Sequence, residues 1–126
     1  MKTLDDCTSD EALHFIQLYF ATVDLLTEAH EKYRRLSIES TTNSGRSQYR
    51  ALVLETERDL ELLKNQRRAF MDNDLGIQPP SLETVEKTKQ MAAELAKIVA
   101  KDTKANGIID LATKGLDAFN QVTAAA

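Results

Sequence analysis

The 126 residues predict an all-α fold, an up-and-down bundle of three long helices with a shorter C-terminal helix. Three observations carry that expectation. Only two prolines and four glycines punctuate the chain, while Ala, Leu, Glu, Lys and Gln, all good helix formers, are common. Apolar side chains recur at steps of three and four over long stretches. Polar segments rich in Ser, Thr, Asn, Gly or Pro separate those stretches where helices would stop and start.

The first helix opens at "TSDE", Thr8 to Glu11, a capping box in which hydroxyl and carboxylate each take a backbone N–H. Ala12, Ile16, Tyr19, Val23, Leu26, His30 and Tyr33 then mark one face as far as about Ile38. A second row, Leu13, Phe20 and Leu25 with Phe15 and Leu18 beside it, widens the apolar arc. A helix apolar nearly all round is covered on more than one side, so this one is either central in a bundle or partly buried in a partner. Residues 1–7 lack periodicity and read as frayed. Residues 39–47, "ESTTNSGRS", carry no apolar side chain and read as a flexible loop.

The second helix is expected from about Gln48 to Asn73. Tyr49, Val53, Thr56, Leu60, Leu63, Arg67 and Phe70 alternate steps of four and three, a heptad seam with two polar members. Two long helices joined by a short connection pack antiparallel. The 74–81 segment reads as a rigid corner: Gly76 as a left-handed stop, Ile77 folded back, Pro79 and Pro80 as helix breakers, Ser81 as the next cap. A calcium loop over Asp72–Glu83 would put Gly76 where an oxygen ligand belongs and Ile77 where glycine belongs, so the corner is preferred. The third helix is expected from about Leu82 to Asp102, with Val85, Ala92, Leu95 and Val99 facing the core and Ala92, Ala96 and Ala100 as a small-residue ridge. A bend is expected at Asn106–Gly107. The last helix then shows Ile109, Ala112, Leu116, Phe119 and Val122 on one face to about Val122, with Gly115 requiring close packing.

Composition limits function. The chain is 42% hydrophobic and 29% charged, which suits one globular domain spanning residues 1–126 and not a disordered segment. Net charge is −4, divided as −5 over residues 1–63 and +1 over 64–126, so neither half is basic enough to mark a nucleic-acid binder. Cys7 is the only cysteine, which leaves no internal disulfide and no cysteine-based zinc site. The acidic N-terminus is unlike a signal peptide and no run is long enough to span a bilayer. The expectation is a soluble, cytoplasmic protein, or one exported without such a signal.

Chemistry finds little support in the pattern. Glu11 and His14 have the E-x-x-H spacing of di-metal bundles, but His30 has Thr27 three positions before it, so the second pair is missing. No glycine-rich phosphate loop exists, and Cys7 lies outside any activating turn. Lys97, Lys101 and Lys104 at i, i+4 and i+7, with Lys64, Arg67 and Arg68, could meet phosphates, although such rows are ordinarily solvated helix faces. The expected function is therefore a non-enzymatic protein-interaction module, without cofactor, metal, membrane or small-molecule substrate. It acts through an apolar helix face that includes Phe15, Leu18, Leu25 and Tyr33, with Arg67 in the seam either setting register or snorkelling, and docks another protein or a second copy. A nucleic-acid-binding regulator and a metal-binding helical enzyme are the alternatives. No family resemblance emerges.

Overall fold

The computed structural model describes residues 1–124. Four helices run up, down, up and down: α1 (Ser9–Glu39), α2 (Asn43–Met71), α3 (Leu82–Lys97) and α4 (Ala105–Thr123). Short 3₁₀ turns at Leu4–Asp6 and Asp102–Lys104 precede α1 and α4. The all-helical bundle expected from the periodicity is the fold.

α1 is the central element and packs on each of the other three helices, while α3 and α4 also touch each other. That position explains its wide apolar arc. Its capping box is complete: the Glu11 N–H donates to Thr8 Oγ1 at 3.1 Å and the Thr8 N–H to Glu11 Oε1 at 2.9 Å. Burial runs nearly its whole length, from Phe15 to Leu36. Along α2 the buried residues are Tyr49, Thr56, Leu63 and Phe70, one heptad apart, with Val53, Leu60 and Arg67 half-buried between them. The seam read from sequence is therefore the α1–α2 interface. Four threonines, Thr22, Thr56, Thr88 and Thr123, are buried at no desolvation cost, because each hydroxyl donates to the carbonyl four residues earlier.

Four expectations are corrected. The 39–47 loop shrinks to Ser40–Thr42, because Thr42 caps α2 by accepting the Gly45 N–H at 3.0 Å. Arg46 steadies that turn from inside the helix by donating to the Ser40 carbonyl at 3.3 Å.

Residues 1–7 are not frayed. Lys2 and Ile77 exchange backbone hydrogen bonds of 2.7 and 2.8 Å as an isolated antiparallel bridge. The Lys2 ammonium also meets Glu11 at 2.9 Å.

The left-handed residue that ends α2 is Asn73, with φ 64°, and Gly76 has no positive φ. The Asp74 N–H bonds to the Ala69 carbonyl and the Asn73 N–H to the Phe70 carbonyl, the 6→1 and 5→2 pair of a Schellman stop. The Asn73 side chain then holds Asp5, accepting its N–H and donating to its carboxylate, both at 3.0 Å. Ile77 does turn inward and is fully buried, and Ser81 caps α3 through the Thr84 N–H at 3.1 Å.

The last break comes earlier than Asn106–Gly107. α3 stops at Lys97, Ile98 is extended, and Asn106 and Gly107 fall in the first turn of α4. The β-branched pair Ile98–Val99 favours extended backbone. The Tyr49 hydroxyl then donates to Asp102 Oδ1 at 2.5 Å and fastens the connection to α2. Val99 is 65% exposed instead of facing the core, Ala96 is exposed, and the alanine ridge does not form.

Candidate interaction surface

The five residues expected to form a docking face do not share a surface. Phe15, Leu18 and Leu25 have no exposure and Tyr33 has 3%. Phe15 stacks tilted on Phe70 at 4.5 Å between ring centroids and on Phe119 at 5.7 Å, so one ring joins α1, α2 and α4. Leu25 lies under Gly115, where a Cβ would fall inside van der Waals contact with Leu25 Cδ2, which is the close packing expected of that glycine. In the folded chain these four side chains are covered by the bundle itself, and a docking face made from them is not accessible.

Arg67 is the exception. Its guanidinium stands 5.4 Å from the Tyr19 ring centroid and 5.7 Å from that of Phe20, a position that gives cation–π attraction to both. Its Nε is out of solvent and without a hydrogen-bond partner among the described residues. Tyr19 and Phe20 meet edge to face at 5.2 Å. Arg67 thus props one face of Phe20 while the rest of that ring stays open.

What remains open on α1 is a stripe that the sequence had marked only as part of the arc. Leu13 and Phe20 are each 51% exposed and two turns apart. Gln17 fills the turn between them, its Oε1 buried with no partner among the described residues. Beside the stripe runs an open groove of about 440 Å³ between Tyr19, Val23 and Thr27 of α1 and Leu60, Glu61 and Lys64 of α2. His30 Nε2 and Glu57 Oε1, 3.1 Å apart, close its far end.

The remaining candidate chemistry is committed to structure. Backbone N–H donation from Thr8 and the Lys2 ammonium hold the Glu11 carboxyl below the usual carboxylate range, so it works as a cap and ion-pair partner. Burial pushes the Cys7 thiol up, the opposite of activation. Lys97, Lys101 and Lys104 do not line one helix face, because α3 ends at the first of them. Arg67 is turned in against rings, which removes it from a row with Lys64 and Arg68. Among the described residues no three His, Cys, Asp or Glu side chains gather as metal ligands would, and no helix is long and apolar enough to cross a membrane.

Tyr33 carries a pH prediction. Burial, and secondarily the charge of Glu55, push its phenol up to about 12. An unfolded tyrosine ionises near pH 10. The buried neutral phenol therefore stabilises the fold fully below about pH 10, and that contribution is lost as pH rises through about 12. Urea midpoints measured across this window should fall for the natural protein and fall less for Tyr33→Phe. Equal slopes would mean that Tyr33 is not the group responsible.

Comparison with family models, curated proteins and solved structures returns no match to this chain. Its class is therefore defined by architecture alone: a four-helix bundle built round α1, with a stripe on that central helix in which Leu13 and Phe20 are half exposed.

Proposed function

We propose that the protein is a non-enzymatic interaction module that receives an amphipathic helix of a partner protein along Leu13, Gln17 and Phe20. The observation that supports this most is the half-exposed Phe20 ring, propped by Arg67 on a helix whose other faces are covered. Aromatic side chains with an arginine beside them are the residues that most often dominate binding energy at protein interfaces. The spacing of Leu13 and Phe20, two turns apart, matches the i and i+7 anchors of a helix laid alongside. The adjoining groove between α1 and α2 gives that helix a bed of Tyr19, Val23 and Leu60, with Lys64, Glu57 and Glu61 as polar partners along its edge.

A photo-crosslinking residue at Gln17 should capture one partner from native lysate. The same residue at Lys89, on an exposed part of α3, should not. Leu13→Ser with Phe20→Ser should abolish that capture while leaving the fold intact, since both side chains are already half in water. Sedimentation across concentration separates a second copy from a different protein: mass doubling that the same substitutions remove would move the site to self-association. Capture and mass unchanged by the double substitution would overturn the proposal.

A further inference from the structure

We propose that the helix received here belongs to a different chain and carries acids at both ends, about four turns apart, with a basic residue one turn in from one of them. The inference rests on the helix-binding reading above and names the chemistry of the occupant. The hollow beside the stripe is only the first part of the groove. Beyond the His30–Glu57 pair a second hollow of about 300 Å³ opens along the same two helices, and both members of the pair line both hollows. On α1 the groove is bordered by Val23, Thr27, His30, Arg34 and Ser37. On α2 it is bordered by Arg50, Leu54, Glu57, Glu61 and Lys64. Each row advances by alternating steps of three and four, the rhythm with which two helices of a bundle meet a third. Leu54 is 53% exposed there, a large apolar side chain that the bundle itself leaves uncovered.

Charge selects the occupant. Lys64 stands at one end of the groove and Arg34 with Arg50 at the other, about 21 Å away along the axis of α2. Glu61 lies one turn in from Lys64. None of these four is in an ion pair among the described residues, whereas Glu57 is met by His30 at 3.1 Å. The unpaired charges therefore run positive, negative, positive. A second copy laid face to face along the whole groove meets its own sign in either direction. Run in parallel, Lys64 faces Lys64 and Arg50 faces Arg50. Reversed about Glu57, Lys64 faces Arg50 and Glu57 faces Glu57. Like charges opposed across an interface suppress the wrong partner. A helix of another chain answers the pattern when its acids meet Lys64 at one end and Arg34 and Arg50 at the other, with a lysine or arginine against Glu61. Its apolar side then lies on Val23, Val53, Leu54 and Leu60, with the Leu13–Phe20 stripe beside the Lys64 end.

The test is selection by the full chain from a displayed library of amphipathic helical peptides about 30 Å long, with a fixed apolar stripe and randomised flanking charges. Selected peptides should carry Asp or Glu near both ends and Lys or Arg between them. Arg34→Glu with Arg50→Glu should weaken them about tenfold, and lysines in place of the acids at one end of the peptide should restore binding to that variant. Both arginines are exposed and outside any ion pair among the described residues, so the fold should survive the change. Leu13→Ser with Phe20→Ser separates the two readings. If it abolishes binding while the selected charges show no pattern or the arginine reversal changes nothing, the stripe stands and the charge assignment falls. If it changes nothing while the arginine reversal and its rescue hold, the groove assignment stands and the stripe falls. Failure to select any peptide overturns both. A dimer of the natural protein in sedimentation that Leu54→Glu removes would make a second copy the occupant and overturn the proposal.

Discussion

Phe15→Ala is expected to cost about 3–5 kcal/mol, the usual range for removing a fully buried ring. Its surroundings place it at the upper part of that range. The chain has four phenylalanines and no tryptophan, and three of the four meet at this point. Truncation would open a void bounded by Phe70 and Phe119, two rings on different helices, each already held in place by its own backbone. Collapse of the void would require α2 and α4 to move toward α1 together. Total stability of a domain this size is about 5–15 kcal/mol, so the variant should be partly unfolded at ambient temperature or melt well below the natural protein. Urea unfolding followed by circular dichroism measures it. Phe20→Ala is the comparison, because that ring is 51% exposed and should cost about 1 kcal/mol or less. Similar losses for the two would show that the Phe15 cluster does not organise the core.

Phe15 and Phe20 also show where sequence reading reaches its end. Both belong to the same apolar arc, and five residues of α-helix separate their directions by about 140°. Periodicity says that the arc is too wide for one neighbour. It does not say which third of it the neighbours leave open, since that is fixed by where α2, α3 and α4 settle. The heptad of α2 was legible because its partner, α1, lies along it for its whole length. The caps at Thr8 and Ser81 were legible because they are satisfied within four residues. The N-terminal clasp was not, because Lys2 pairs with Ile77 and Asp5 with Asn73, at separations where no local pattern survives. Asn73 itself had a signal, as asparagine is the second choice after glycine at a left-handed stop, but the nearby Gly76 drew the assignment. The end of α3 was misplaced for a similar reason. Asn106–Gly107 looked like the breaker, whereas Ile98–Val99 and the Tyr49–Asp102 bond decide where the helix stops.

Gly115→Ala is expected to destabilise by about 1–3 kcal/mol, the cost of overpacking a filled core. Helix propensity alone predicts the reverse, because alanine is favoured over glycine in a helix interior by about 1 kcal/mol. The contact decides the sign. An added Cβ would fall inside van der Waals contact with Leu25 Cδ2 and 3.4 Å from Leu25 Cγ. Leu25 has no exposed surface, so its methyl cannot swing into water, and a helical leucine has few alternative rotamers. Gly107→Ala isolates the propensity effect, since it lies in the same helix, has no positive φ and meets nothing within 4 Å. It should stabilise by about 0.5–1 kcal/mol. Leu25→Ala alone should cost about 2–5 kcal/mol through the cavity it leaves. Combined with Gly115→Ala it should cost less than the two single losses together, by about 1 kcal/mol or more, because the new methyl enters space the leucine has vacated. Additive losses, or a Gly115→Ala variant that gains stability as Gly107→Ala does, would show that close approach of α1 and α4 is not what selects glycine at this position.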